Sequence, residues 1–197
     1  LLQDSPLSSD QQQLLDRIRR NTQKQKQLIA RLLELARLEN RDSLNDTQTI
    51  DLSNLAAQAA QESRAALQTK QLHIALNCPP QTVQGDPLLL RQAIDNLLYN
   101  AIDFAETGSE IRLSLTRSRN RTELAVYNQG SPVPPYPLAK IPQRFYSLPR
   151  ADGSRSSGLG LSFTTEIMRL HHGRLMLANR ENGVEARLVF PDVKEAT

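Results

Sequence analysis

The sequence predicts an α+β protein, a two-layer α/β sandwich preceded by one long helix. Three observations lead there. Alternating apolar residues mark strands at Leu72, Ile74, Leu76, at Ile111, Leu113, Leu115 and at Leu124, Val126. Apolar residues at helical spacing mark helices near residues 52–67, 87–105 and 160–170. A helical stripe also runs through residues 9–41, ahead of all of these. Helices and strands sharing one sheet cover one of its faces and leave the other more open.

The first helix follows a turn at Ser5-Pro6, with Ser9 or Asp10 as its cap and Gln12 and Gln13 near the third position. Its stripe holds Leu14, Leu15, Ile18, Leu28, Ile29, Leu32, Leu35, Ala36 and Leu38, with a polar middle at Asn21, Thr22 and Gln25. About nine turns of amphipathic helix need partners for the apolar face. A bundle or dimer seam is the natural completion, and packing on the rest of the chain is the alternative. Residues 40–49 are polar and aperiodic, so they read as a linker, dividing the chain into residues 1–44 and 45–197. The next helix turns Leu52, Leu55, Ala56, Ala59 and Ala66 inward. The basic turn at 117–121 joins two strands as a hairpin, and strands at 174–178 and 184–190 close the chain around Glu181-Asn182-Gly183. Residues 132–157 are rich in Pro, Gly, Ser and Arg. A loop this long in a compact domain suits a lid over a ligand, with Arg144, Arg150 and Arg155 supplying charge for phosphates. A solvated loop with incidental arginines is the plainer reading.

Composition narrows the function classes. With 39% hydrophobic and 23% charged residues, the 197-residue chain is an ordinary soluble one, and without Trp its core must be aliphatic. The net charge of +3 is scattered, which gives nucleic-acid binding little support. A single cysteine, Cys78, excludes an internal disulfide and suits a reducing compartment. No apolar run approaches a membrane span and Leu1 does not begin a signal peptide, so any membrane attachment is expected through upstream segments.

Two amides carry the chemistry. Asn96 and Asn100 lie on the apolar helix Asp95-Asn96-Leu97-Leu98-Tyr99-Asn100-Ala101, and spacing i,i+4 stacks them on one face. Asn is disfavoured inside helices because it competes for backbone hydrogen bonds, so two at this spacing want a reason. Downstream, Ser157-Gly158-Leu159-Gly160-Leu161 opens another helix with free N–H groups, where an anion is welcome. A lone G-x-G often only caps a helix. Together with the amides it suggests a Mg²⁺-nucleotide site.

The order Asn-Leu-Leu-x-Asn-Ala, a strand ending near Gly130, Arg144-Phe145-Tyr146 and Gly158-Leu159-Gly160-Leu161 resembles sensor histidine kinases. It is similar to their Bergerat (GHKL) ATP-binding domain over about residues 51–191. Leu35-Ala36-Arg37-Leu38-Glu39 resembles the second helix of their dimerisation domain, while Phe145-Tyr146-Ser147-Leu148-Pro149-Arg150 and Asn100-Ala101-Ile102-Asp103-Phe104 are closer still to the CreC sensor kinases. The resemblance implies ATP and Mg²⁺ as ligands, with Asn100 on the metal and Asn96 beside it on the phosphate side. Phe104 would pack on the adenine and Phe145 would anchor the lid, with Arg150 among its cations. Ser157, Gly158, Leu159 and Gly160 would form the phosphate turn. The related gyrase and Hsp90 ATPases carry a water-activating Glu where this chain has Asn96, so transfer to a protein acceptor is expected over hydrolysis.

The chain also departs from the pattern. Asn128 and Gly130 occupy the adenine-reading Asp-x-Gly, and Asn128 lacks the carboxylate's charge and second acceptor. Pro132 replaces a second Gly and removes an N–H. Pro142 takes the place of a Phe, Val184 that of a Thr near the base, and Asp103 that of a Lys. One lost hydrogen bond to a charged group costs about 1.5–3 kcal/mol, so weakened ATP binding is expected. Of the three histidines, His73, His171 and His172, none has the Glu-x-x-x-Pro sequel of a phosphoacceptor. A helix-end dipole accounts for the last two.

The expectation is thus the cytoplasmic ATP-binding part of an inner-membrane sensor histidine kinase. It would be dimeric through its first helix and would send phosphate through an upstream His to a response regulator. A degenerate nucleotide site serving dimerisation and regulator docking, with phosphatase output, is the second reading. A GHKL ATPase and an anti-sigma-type serine kinase are weaker ones.

Overall fold

A computed structural model describes residues 8–44, 47–118, 121–134 and 157–191, without the side chain of residue 24. Phe145, Arg150, Arg144, Arg155, Pro142 and the turn at Ser5-Pro6 lie outside the described residues.

Helix α1 (Ser9–Glu39) is capped one residue earlier than expected. Ser8 Oγ accepts from the Gln11 N–H at 3.3 Å, while Gln11 Oε1 accepts from the Ser8 N–H at 2.9 Å. This reciprocal pair satisfies two otherwise orphaned donors, which neither Ser9 nor Asp10 does here. Most of the apolar stripe stands in solvent within the described residues, with Leu14 58%, Ile18 51% and Ile29 59% exposed, whereas Leu35 and Leu38 at its end are buried. The chain separates into two compact units at Arg37 and Leu38. In the second unit, Arg169 Nη2 donates to the carbonyls of Leu38 at 3.3 Å and Arg41 at 2.9 Å.

The expected linker runs into a strand. Strand β1 (Gln48–Asp51) pairs antiparallel with β3 (Thr82–Gly85) in a two-stranded sheet, with Ile50 opposite Val83 and both buried. One inward apolar residue per strand is too little alternation to read from sequence. The expected helix 52–67 is two helices, α2 (Leu52–Glu62) and α3 (Arg64–Thr69). At the join, buried Ser63 turns its hydroxyl back to the Ala59 carbonyl at 2.9 Å, a bond that competes with the helix ladder.

A five-stranded sheet forms the body. In space its order is β2 (His73–Asn77), β4 (Glu110–Ser118), β5 (Arg121–Gln129), β7 (Gly183–Pro191), β6 (Arg174–Arg180). The β2–β4 pair is parallel and the others are antiparallel. Helices α4 (Pro87–Phe104) and α5 (Gly160–Leu170) pack on one face, closing an aliphatic core of Leu113, Leu124, Leu188, Leu90, Leu97 and Ile167. The other face is open, as expected. There Arg112 lies 4.4 Å over the Tyr127 ring, and Arg187 bridges Glu123 at 3.2 Å and Glu185 at 3.0 Å.

His171 joins the two core helices. Its Nδ1–H donates to the Ile167 carbonyl at 2.7 Å, and its Nε2 accepts from the Asp86 N–H at 3.0 Å. This is a neutral ring, so the helix dipole is not what holds it. Burial pushes the imidazole below its ordinary value, a trend that the Ile167 bond and the Asp86 carboxylate partly oppose and His172 reinforces. The unfolded ring titrates near 6.5 and the folded one lower, so below about pH 6.5 the unfolded chain binds the extra proton. The contribution is therefore complete above that pH and is lost as pH falls through the folded value. Urea unfolding at pH 7.5 and 5.5 should show the native chain losing stability on acidification. His171→Ala should lower stability by about 2–3 kcal/mol at pH 7.5 and flatten that pH dependence; an equally steep dependence would assign it to other groups.

Candidate functional site

Helix α4 is the platform of the site. Asp86 caps it, accepting from the N–H groups of Leu88 at 2.9 Å and Leu89 at 3.2 Å, and Pro87 follows in the first turn, where its missing N–H costs nothing. Leu90, Ala93, Ile94, Leu97, Leu98, Ala101 and Ile102 are buried and set the roll of the helix. That roll leaves Asn96 and Asn100 half-buried on its flank.

The glycine turn comes to both amides. The Cβ position of Gly160 lies 3.8 Å from Asn100 Nδ2 and 3.8 Å from Asn96 Oδ1. Gly158 holds φ +67, a left-handed conformation suited to glycine, and buried Leu159 anchors the turn. No side chain among the described residues caps α5, so the N–H groups of its first turn lack a side-chain partner there, at the positive end of the helix dipole. Hydroxyls further along are turned inward: Ser162 Oγ donates to Leu159, Thr164 Oγ1 to Gly160 and Thr165 Oγ1 to Leu161 carbonyls.

Asn100 Nδ2 is buried and has no hydrogen-bond partner among the described residues. Such a group costs about 1–3 kcal/mol when left unpaired, so it points to a ligand. A carboxamide offers either end after a flip, and its oxygen suits a hard cation. Amides beside an uncapped helix start thus fit a divalent cation shared with an anion, and the buried Asn100 group is the observation that tests that fit.

One helical turn beyond Asn100, the other half of the site assembles. Phe104 ends α4, and Asn128 is 6% exposed at the end of β5. Its Nδ2 donates weakly to the Gln129 carbonyl at 3.4 Å. Gly130 is glycine for space, since a Cβ there would lie 2.6 Å from the Phe104 carbonyl oxygen. Phe104, Asn128 and Gly130 therefore meet, as do Asn96, Asn100 and Gly160. Ser157 is exposed at the start of the turn.

Two side chains escaped the sequence reading. Lys70 Nζ donates to the carbonyls of Ile102 at 2.8 Å and Asp103 at 2.6 Å, closing the C-terminus of α4. Asn179 on β6 binds both backbone groups of Val133. A lysine in a polar turn gives no signal. An amide continuing the apolar alternation of Leu175 and Leu177 does.

Known proteins resemble this chain in sequence and fold. Residues 85–194 match the histidine kinase-, DNA gyrase B- and HSP90-like ATPases. The sensor protein CreC of Escherichia coli (strain K12) is 37% identical over 189 residues, which is 95% of this chain and 40% of that protein. The chain thus spans well under half the length of that relative. Full-length ShkA in complex with AMPPNP superposes with a TM-score of 0.79 at 24% identity, over 96% of this chain and 40% of that one. Histidine kinase ThkA in complex with response regulator protein TrrA gives 0.72 at 19% identity, over 99% and 55%. At such identities the superpositions speak for the fold. The sequence match begins at the entrance to α4 and continues into the closing strand β7, enclosing the amide helix and the glycine turn alike. The chain accordingly belongs to the histidine kinase-, DNA gyrase B- and HSP90-like ATPase family, in its sensor histidine kinase branch.

Proposed function

We propose that this chain binds Mg²⁺-ATP and serves as the ATP-binding part of a sensor histidine kinase. The γ-phosphoryl group would pass to a histidine outside the chain and then to an aspartate of a response regulator. The buried Asn100 amide beside Gly160 is the observation that carries this reading. Asn100 would hold Mg²⁺ through its oxygen, and the cation would supply charge neutralisation at the phosphates. Asn96 would line the same side. Ser157 and the backbone N–H groups of Gly158, Leu159 and Gly160 would receive the anion. Phe104, Asn128 and Gly130 would meet the adenine, with Phe145 and Arg150 contributed from outside the described residues.

Positioning and electrostatics would do the catalytic work. Asn96 is no general base, and no carboxylate takes its place at that position, which favours a protein acceptor over water. The exposed stripe of α1 supports self-association of residues 1–44, with residues 45–197 as the nucleotide-binding part. No described helix is long and apolar enough to cross a membrane. We place the chain on the cytoplasmic side of a sensor that is membrane-anchored elsewhere.

The degenerate docking module remains the second reading, and Asn128 is the residue that favours it. Its amide already leans on the Gln129 carbonyl, and Pro132 lacks an N–H to offer.

Calorimetric titration with a non-hydrolysable ATP analogue, with and without Mg²⁺, separates the two readings. Metal-dependent binding is expected, and no binding at millimolar analogue would favour the docking module. Asn100→Ala should abolish the metal-dependent part, whereas unchanged binding would remove Asn100 from the metal site. Asn128→Asp should tighten binding roughly tenfold by restoring a charged acceptor; no gain would mean that the pocket is organised around the amide. Residues 1–44 should drive concentration-dependent dimerisation in sedimentation, and a chain monomeric at high concentration would count against an autonomous seam.

A further inference from the structure

Asn179 occupies a telling place in the sheet. Asn128 of β5 pairs with Val184 of β7, and Val184 pairs with Asn179 of β6. Residues directly opposite share a sheet face, so these side chains form one row on the helix-covered side. The row spans two strand spacings, about 10 Å. It lies at the end of the sheet where β5 gives way to Gly130.

The Asn179 amide closes on the backbone of a single residue. Its Nδ2 donates to the Val133 carbonyl at 2.6 Å, and its Oδ1 accepts from the Val133 N–H at 3.0 Å. One carboxamide thereby replaces the paired bonds of a neighbouring strand. At the other end, the Gly130 N–H donates to the Asn182 carbonyl at 3.0 Å. Residues 130–133 are thus pinned at both ends. They run from β5 to the β6 side of the sheet as a short strap. Pro132 within it has no N–H with which to hold itself, so the Val133 clamp carries the far end, and Val133 is buried there.

We propose that Asn179 is a positioning residue for the purine end of the nucleotide site. By holding Val133 it sets the course of the strap beside Asn128 and Gly130, the groups assigned above to the base. It touches no ligand itself. This inference rests on the nucleotide reading of the site.

The test is the affinity for AMPPNP with Mg²⁺ in the native chain, Asn179→Ala and Asn179→Ser, each measured well below its own melting temperature. Losing the clamp should raise Kd about tenfold in Asn179→Ala, and the serine hydroxyl, able to bond Val133 once, should recover part of it. A merely structural asparagine would lower the melting temperature and leave the Kd of the folded protein unmoved. An alanine variant within about twofold of native Kd overturns the proposal, as does a serine variant no better than alanine. If the alanine variant fails to fold, the serine variant decides: a raised Kd supports the clamp and a native Kd overturns it. A native chain that binds no AMPPNP would sink the nucleotide reading and this inference with it, whereas normal native binding with indifferent variants sinks the inference alone.

Discussion

The parallel pairing of β2 with β4 is the constraint from which the rest follows. Parallel neighbours cannot be joined by a tight turn, so the chain must leave the sheet and cross over. Here the crossover contains α4, the helix that carries both amides. Its apolar side chains then lock its roll against the sheet, and the ends are fixed separately. Asp86 and His171 hold the N-terminus, while Lys70 holds the last carbonyls. Arg91 adds a lateral tie to α2 through Glu62 at 2.6 Å. A helix so restrained presents Asn96 and Asn100 at a fixed height and angle, which positioning catalysis requires.

The site contrasts with this thoroughness. Elsewhere in α5 the buried hydroxyls find helix carbonyls, yet the N-terminus of the same helix has no side-chain cap among the described residues. Asn100 is likewise left without a partner among the described residues, one helical turn from a fully tied C-terminus. The two omissions are neighbours, since a Cβ on Gly160 in the first turn would lie 3.8 Å from Asn100 Nδ2. Local stability has been given up there while polar groups nearby in α5 are satisfied, which supports the proposed binding site over loose packing.

How much of this was legible in the sequence depends on the range of the interaction involved. The roll of α4 was readable because its stripe is long and local, and so were the amides and the glycine turn that break the ordinary rules. The β1–β3 ribbon was not, since each strand offers one inward apolar residue and its partner lies more than thirty residues away, as the Ile50–Val83 pairing shows. The Ser63 break was hidden because a serine in a helix is ambiguous until its hydroxyl is seen on Ala59. The cap of α1 was misplaced by one residue because several adjacent polar residues qualify, and only the Gln11 side chain selects Ser8. Lys70 acts across 32 residues and Asn179 across 46, distances over which a single sequence gives no pairing signal.

The tautomer of His171 has a consequence for phosphorus chemistry. A neutral imidazole has one basic lone pair, and in His171 that pair is on Nε2, aimed at the amide of Asp86. Its other nitrogen bears the proton given to Ile167. In-line attack on a phosphoryl group needs a nitrogen pair that is both unshared and reachable, and this ring, 6% exposed, has neither property. Any phosphohistidine formed there would first have to detach α4 from α5, dismantling the platform that carries both amides. The fold has thus made its most central histidine an electronic dead end, a strut between α4 and α5 with no lone pair left for a phosphoryl group.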